Sequence, residues 1–244
     1  MDSPYTDSSG RSVPRATTIL DQLSKPALIQ WAANCAVDYI ANKEDYGEMC
    51  LAMHQAKYAY KQESQEAVEY GSYIHSVCEL YLRTGQKIES PHEMTHQFMN
   101  GTGNKRLQFN GFYDFCEKTH LKPLLIEQVV IGDGYGGRYD LICEIDKFWD
   151  KSDERVVTMI DFKSGKDTFY ETWGYQLAGY KFAWNNWWVG HSTGPRNEFV
   201  DYQGVLKFNK TNNRVNYKDF TPTCEKDDDI FRTLVSLWWL RNGE

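Results

Sequence analysis

The chain has 244 residues of ordinary globular usage, 41% hydrophobic and 25% charged, enough to bury a real core and suited to one α/β domain with helical additions. A net charge of −7 excludes a basic field over the whole surface, and the absence of any run of about 18 apolar residues argues against a membrane span. The six cysteines include no Cys-x-x-Cys pair, so zinc and iron–sulfur spacings are both missing and a reducing cytoplasm is the expected setting.

In chain order, residues 1–13 are rich in Ser and Asp and read as a loose, flexible arm; 14–244 read as a single domain, mainly helical over 14–119 and α/β over 120–244. Helical patterning runs from Thr17 to about Thr119. Pro26 suits the first turn of a helix continuing to Ala41, and Thr84-Gly85 ends a strongly helical stretch from Tyr70 to Leu82. Ser90-Pro91 reads as an N-cap followed by a first-turn proline. The period then changes. Leu124–Ile131, Gly137–Ile145 and the β-branched Val156–Phe162 read as three strands, with a charged hairpin loop over 146–155. Phe169–Trp188 returns to helix. Val200–Phe208 and Arg214–Phe220 flank the turn signal Asn212-Asn213, and Ile230–Leu240 closes as an apolar helix.

Three motifs invite functional readings. Gly132 to Gly137 matches G-x-G-x-x-G, but a dinucleotide site must open a helix and here a strand follows, so the segment is a turn between strands. Lys163-Ser164-Gly165-Lys166 lacks the first glycine and the Ser/Thr of a phosphate-binding loop. His92-Glu93-Met94-Thr95-His96 is a literal H-E-x-x-H and makes a zinc metallopeptidase the rival reading from another class. Pro91 puts His92 at a fraying helix start, a poor base for a rigid site, and Met99 and Thr102 stand where a further histidine motif would continue.

The strands carry a more specific arrangement. Asp161 and Lys163 are two apart, hence on one face at the end of an apolar strand, and Asp140 lies on the strand before it. If the two strands form a hairpin, Asp140 and Asp161 converge, and converging carboxylates repel unless a cation separates them. An ordinary Asp–Lys ion pair at a strand end accounts for that pair equally well. Gln176 and Tyr180, four apart, share one face of the following helix; His75 falls on the apolar helix before the sheet. Alone, each of these is more often structural than functional.

In the order Gly71 to His75, Glu127, Gly137 to Asp140, Asp161 to Lys163 and Gln176 to Tyr180, these pieces resemble the RecB-like branch of the PD-(D/E)XK nucleases. Ala16 to Leu20, Lys25 to Ile29 and Trp31 to Ala33 are similar to phage-type exonucleases of that branch, and the likeness spans about residues 14–220. The resemblance implies a restriction-endonuclease-like core, a mixed central sheet flanked by helices with a helical N-terminal region. It implies a Mg²⁺- or Mn²⁺-dependent DNA exonuclease acting on ends or single strands in phage DNA replication, recombination or repair, in the host cytoplasm, with phage recombination or replication proteins as partners and no membrane. His75, Asp140, Asp161 and the Phe162 carbonyl would hold the metal. Lys163 would position water and stabilise charge, Glu127 would be an accessory acid, and Gln176 and Tyr180 would brace the site or touch the DNA backbone. Relatives with an iron–sulfur cluster carry three late cysteines; here only Cys224 is late, so simpler relatives such as the mitochondrial genome maintenance exonuclease are the nearer comparison. A catalytically silent nucleic-acid-binding module of the same fold is the second alternative. Arg15, Lys25, Arg138, Lys166, Lys181 and Lys207 are candidate phosphate contacts. Trp173, Tyr175, Trp184, Trp187 and Trp188 are candidate base-stacking rings, most of them expected in the core.

Overall fold

The structure is a computed structural model that describes residues 3–43, 46–88, 105–148, 154–165, 168–190, 199–209 and 214–243. Compact packing divides the chain into two units, residues 23–73 and a larger one made of 1–22 and 74–244.

The smaller unit contains α2 (Pro26–Ala41), α3 (Tyr46–Ala56) and the first part of α4 (Ala59–Thr84). Pro26 sits at the first turn of α2, where its missing N–H has no intrahelical partner to lose. Small side chains, Cys35, Ala52, Ala56 and Ala59, are among its buried positions, and Tyr39 donates to Gln55 at 2.8 Å between α2 and α3.

The larger unit is built on a five-stranded sheet flanked by helices. Its strands are β3 (Lys122–Gly132), β4 (Tyr135–Asp146), β5 (Arg155–Gly165), β6 (Tyr202–Asn209) and β7 (Val215–Asp219), in that spatial order. Neighbours are antiparallel except β5 and β6, which are parallel and are joined through α6 (Glu171–Gly190), the kind of crossover a parallel pair needs. Val156, Met159 and Ile160 of β5 are buried, as are Gln203 to Asn209 of β6, the near-continuous burial expected of strands covered on both sides. Helix α6 is apolar around most of its circumference and buries Leu177, Ala178, Tyr180, Ala183 and Trp184 between the sheet and α7 (Cys224–Asn242). Phe112 of α5 (Lys105–Lys118) meets Phe162 and Phe208 at ring separations of 5.8 and 5.9 Å. Gly85 terminates α4 at φ 72, the left-handed conformation that closes a helix end, with its N–H on the Tyr81 carbonyl.

Residues 3–13 are a correction to the sequence expectation of a loose arm over 1–13. Strands β1 (Tyr5–Thr6) and β2 (Ser12–Val13) pair as a hairpin, the Asp7 carboxylate takes N–H bonds from Ser9 and Arg11 in the turn, and Val13 is fully buried. Short helix α1 (Ala16–Leu20) follows, and Arg15 bridges in parallel to Gly136 of β4. Within the helical patterning read over 17–119, the helix expected from Pro26 to Ala41 and the helix end expected at Thr84-Gly85 are both present. Ser90-Pro91, His92 to His96 and the turn Asn212-Asn213 lie outside the described residues; the strands either side of that turn pair antiparallel, Phe208 opposite Val215. No helix among the described residues is long and apolar enough to cross a membrane.

Candidate functional site

One cleft of the larger unit, about 410 Å³, is lined by Tyr5, Arg15, His75, Glu127, Arg138, Asp140, Asp161, Lys163, Gln176 and Tyr180 together with Pro4, Thr17 and Gly137. The hairpin expected between Gly137–Ile145 and Val156–Phe162 is present, with Leu141 opposite Ile160 at the end of the ladder. That register brings Asp140 and Asp161 side by side, and the Asp140 carboxylate accepts the Phe162 N–H at 2.6 Å.

Two glycines admit the walls of this cleft. A Cβ on Gly137 would lie 2.2 Å from the Tyr180 ring, and one on Gly136 would lie 2.6 Å from Tyr5. The backbone at 136–137 must therefore be bare for the two tyrosines to approach it. Tyr180 is buried and its hydroxyl accepts from Gln176 at 3.1 Å. Gln176 in turn accepts from Lys163 Nζ at 3.3 Å through its carbonyl oxygen, and Lys163 pairs with Asp161 at 2.7 Å. One turn of α6 thereby holds the ammonium that the strand presents.

Beside this chain of contacts, His75 stands between two carboxylates. Its Nδ1 is 3.3 Å from Asp140 and 3.5 Å from Glu127, and its Nε2 is 3.1 Å from the Phe162 carbonyl oxygen. Glu127 is held in turn by Arg138 at 2.8 Å. It adopts φ 54, a left-handed conformation that a non-glycine residue holds only when its surroundings dictate it. Ile126 faces Leu141 and Gln128 faces Tyr139, so Glu127 falls across from Asp140. Like charges directly opposed on a sheet repel, and the imidazole between them is what the free protein sets against that repulsion.

The electrostatics follow. Burial opposes charge on His75, but the Asp140 and Glu127 carboxylates outweigh it and raise its pKa to about 10, so both ring nitrogens carry protons and donate. Burial pushes Asp161 up to about 6 against the pull of Lys163, with Asp140 adding to the rise. For Lys163 burial favours the neutral amine, yet Asp161 and Asp140 prevail and hold it above the usual lysine range.

A metal fits this geometry on the evidence of the donors themselves. One ligand atom each from His75, Glu127 and Asp140 lies within 4.8 Å of the others, the Phe162 carbonyl lies against the opposite ring nitrogen of His75, Nε2, and the imidazolium supplies the positive charge that an ion would bring. Glu127, expected as an accessory acid, thus belongs to the compact donor group, whereas Asp161, expected as a ligand, stands beside it on Lys163.

Arg15 and Arg138 line the cleft, as phosphate contacts would. Lys207 does not: β6 buries it completely, its ammonium 5.2 Å from the Phe169 ring, which removes it from the expected surface contacts. Lys181 reaches the Asp201 carbonyl at 2.6 Å, and Lys166 lies outside the described residues. Tyr175 and Trp184 are core residues, as expected. The sequence reading missed Pro4, Tyr5 and Thr17; the glycine pair 136–137 signals that something bulky lies against the strand but not which residue.

No family model and no curated protein matches this chain. Among solved structures 15 chains match, and one of them is the crystal structure of SSO0001, at 11% identity over 69% of this chain and 70% of that one, with a TM-score of 0.27. At that TM-score the likeness does not establish a shared fold.

Proposed function

We propose that the cleft is the active site of a divalent-metal-dependent deoxyribonuclease with a PD-(D/E)XK core of the RecB-like branch, acting as an exonuclease on DNA ends or single strands. The observation that carries the reading is the pairing of two devices in one cleft: the Asp140–His75–Glu127 donor group, and Asp161-x-Lys163 with its ammonium braced by Gln176. The motif residues also occur along helix α4, strands β3, β4 and β5, and helix α6 in the order the resemblance requires.

Carboxylate and carbonyl oxygens dominate the donor set, which favours a hard cation such as Mg²⁺ or Mn²⁺. His75, Glu127 and Asp140 would hold it, with Asp161 and the Phe162 carbonyl as the further ligands that the resemblance implies, and when bound it would act as a Lewis acid on a phosphate and lower the pKa of a water. The protein's own residues supply the rest. Lys163 presents a fixed positive charge, kept protonated by Asp161, where negative charge develops on a phosphodiester. Gln176 fixes that ammonium and Tyr180 fixes Gln176, so less reorganisation is needed as the barrier is crossed. Arg15 and Arg138 offer charge-assisted bonds to the strand's phosphates and make the cleft locally less acidic than the whole chain.

A silent binding module would have no use for an ammonium pinned beside buried carboxylates, and the zinc reading rests on His92 and His96, outside the described residues. Incubating the protein with end-labelled single- and double-stranded DNA in Mg²⁺ or Mn²⁺ tests the proposal: shortening from the ends that stops with EDTA is expected, and full activity in EDTA would remove the metal from it.

A further inference from the structure

We infer that Arg138 is a phosphate-operated latch on Glu127, so that a nucleic-acid strand and the metal bind this cleft cooperatively; the inference rests on the nuclease reading above. In the free protein both Glu127 oxygens are committed to cations, Oε1 towards His75 at 3.5 Å and Oε2 to Arg138 Nε at 2.8 Å. Arg138 is the partner that can leave. Its side chain is 62% exposed, against 14% for Glu127, and Glu127 is fixed by a left-handed backbone that it keeps only under constraint.

Arg138 is also where a phosphate would meet it. It lines the cleft with Arg15 and lies two residues before Asp140 on β4, hence on the same side of that strand. A guanidinium binds a phosphate through two parallel N–H bonds, a geometry that competes well with its present contact to Glu127. While Arg138 stays on Glu127, its charge opposes a divalent cation at the His75–Glu127–Asp140 group. Once Arg138 turns to a phosphodiester, the Glu127 carboxylate is released to that group at full negative charge. The metal is then held weakly in the free protein and tightly with a strand in place, and by reciprocity the metal tightens the strand by the same factor.

Mn²⁺ affinity measured by calorimetry, with and without a fully phosphorothioate single-stranded oligodeoxynucleotide that resists cleavage, tests this in the wild type and in Arg138→Gln. Arg138 is exposed enough for that variant to fold. In the wild type the oligonucleotide should tighten Mn²⁺ by about 5-fold or more, within the usual range of coupling between sites. In Arg138→Gln, Mn²⁺ should bind the free protein tighter by a similar factor, the oligonucleotide-bound state should be little changed, and the oligonucleotide's effect on Mn²⁺ should shrink accordingly. The slope of log affinity for the oligonucleotide against log salt should fall by about 0.7, the loss of one phosphate contact on a single strand. An Arg138→Gln protein that binds Mn²⁺ tighter to the same degree in both states would reveal simple charge removal and overturn the latch; unchanged Mn²⁺ affinity in the free protein would do the same. If the wild type binds Mn²⁺ through His75 and Asp140 and cuts DNA while either of those patterns appears, the latch alone fails. If it binds no Mn²⁺ or leaves DNA intact, the nuclease reading falls and the latch with it.

Discussion

Strands β3 to β5 and their flanks carry an ionic cluster towards each end of the β4–β5 ladder, and the two are made of the same residue types. At one end His120 touches Asp146 at 2.6 Å, Arg155 reaches Asp146 at 3.3 Å, and Lys122 pairs with Glu144 at 3.2 Å. At the other stand His75, Glu127, Asp140, Asp161 and Lys163. The difference is water. The His120 side chain is 71% exposed and its partner Asp146 37%, whereas Asp140 and Asp161 keep only 8% and 5%. In the outer cluster solvent screens the charges and each pair contributes little. In the inner one, two carboxylates face each other across the sheet where solvent cannot separate them, and cations must. Counting acids and histidines does not distinguish the two ends; burial does.

Substitutions at the inner end should have the largest effect. Lys163→Ala removes charge stabilisation that is needed most as the barrier is crossed, so cleavage in Mg²⁺ should fall by about 10²–10³ while DNA binding in Ca²⁺ changes far less. Asp161→Ala should lose cleavage too and regain part of it in excess Mn²⁺, which Lys163→Ala should not. If both variants only lowered the melting temperature and cut DNA at the wild-type rate per folded molecule, the inner cluster would be a salt bridge like the outer one.

Gly137→Ala probes the packing behind that chemistry. Its Cβ would fall 2.2 Å from the Tyr180 ring, so the tyrosine or the strand must give way, and with it the Gln176 contact that braces Lys163. Overpacking of this kind destabilises by about 1–3 kcal/mol, readable as an earlier urea midpoint, and activity should drop beyond what the loss of folded protein explains. An unchanged midpoint and rate would show that the tyrosine seat has no part in the site.

The inner cluster is also set apart by its response to pH. With its pKa raised from 6.5 to about 10, His75 contributes stability to the metal-free protein that is complete below pH 6.5 and lost as pH rises through about 10. A metal must displace that proton, so Mn²⁺ affinity should climb with pH over the same window, and binding at pH 8 should release about one proton per ion. Calorimetry in buffers of different ionisation enthalpy measures the release. His75→Gln should abolish it and flatten the stability profile, and proton release that survives the substitution would assign the proton to another group.

Much of this was legible in the sequence because the signals are local. Alternating and β-branched runs gave the three strands, and the spacing of Asp161 and Lys163 gave their shared face. The convergence of Asp140 with Asp161 followed once the strands were read as a hairpin. What was not legible depends on partners far along the chain. The hairpin of residues 5–13 is held by Arg11, 4.4 Å from the Trp239 ring, and by Tyr5 over Gly136, contacts no local pattern announces. Lys207 reads as a surface contact from its charge, yet β6 lies inside the sheet and is buried along nearly its whole length. Glu127 reads as one more strand acid; its place in the donor group depends on register with β4 and on a left-handed backbone, neither encoded in its neighbours.

The smallest expected effect is at the outer end, and it is the control that gives the others meaning. Asp146→Asn weakens two contacts at once, the one to His120 and the one to Arg155. If shared residue types made the two ends equivalent, this change would be as damaging as Asp161→Ala. It should not be. All three side chains are more than a third exposed, so water replaces the lost partner and ions already screen the pair. Arg155 also keeps its bond to the His120 carbonyl at 3.1 Å, which holds the corner together without the carboxylate. The cost should be about 1 kcal/mol or less in urea unfolding, smaller still at high salt, and DNA cleavage and Mn²⁺ binding should match the wild type. A loss of several kcal/mol that salt does not reduce would mean that the outer cluster is as shielded from solvent as the inner one, and that burial is not what separates them.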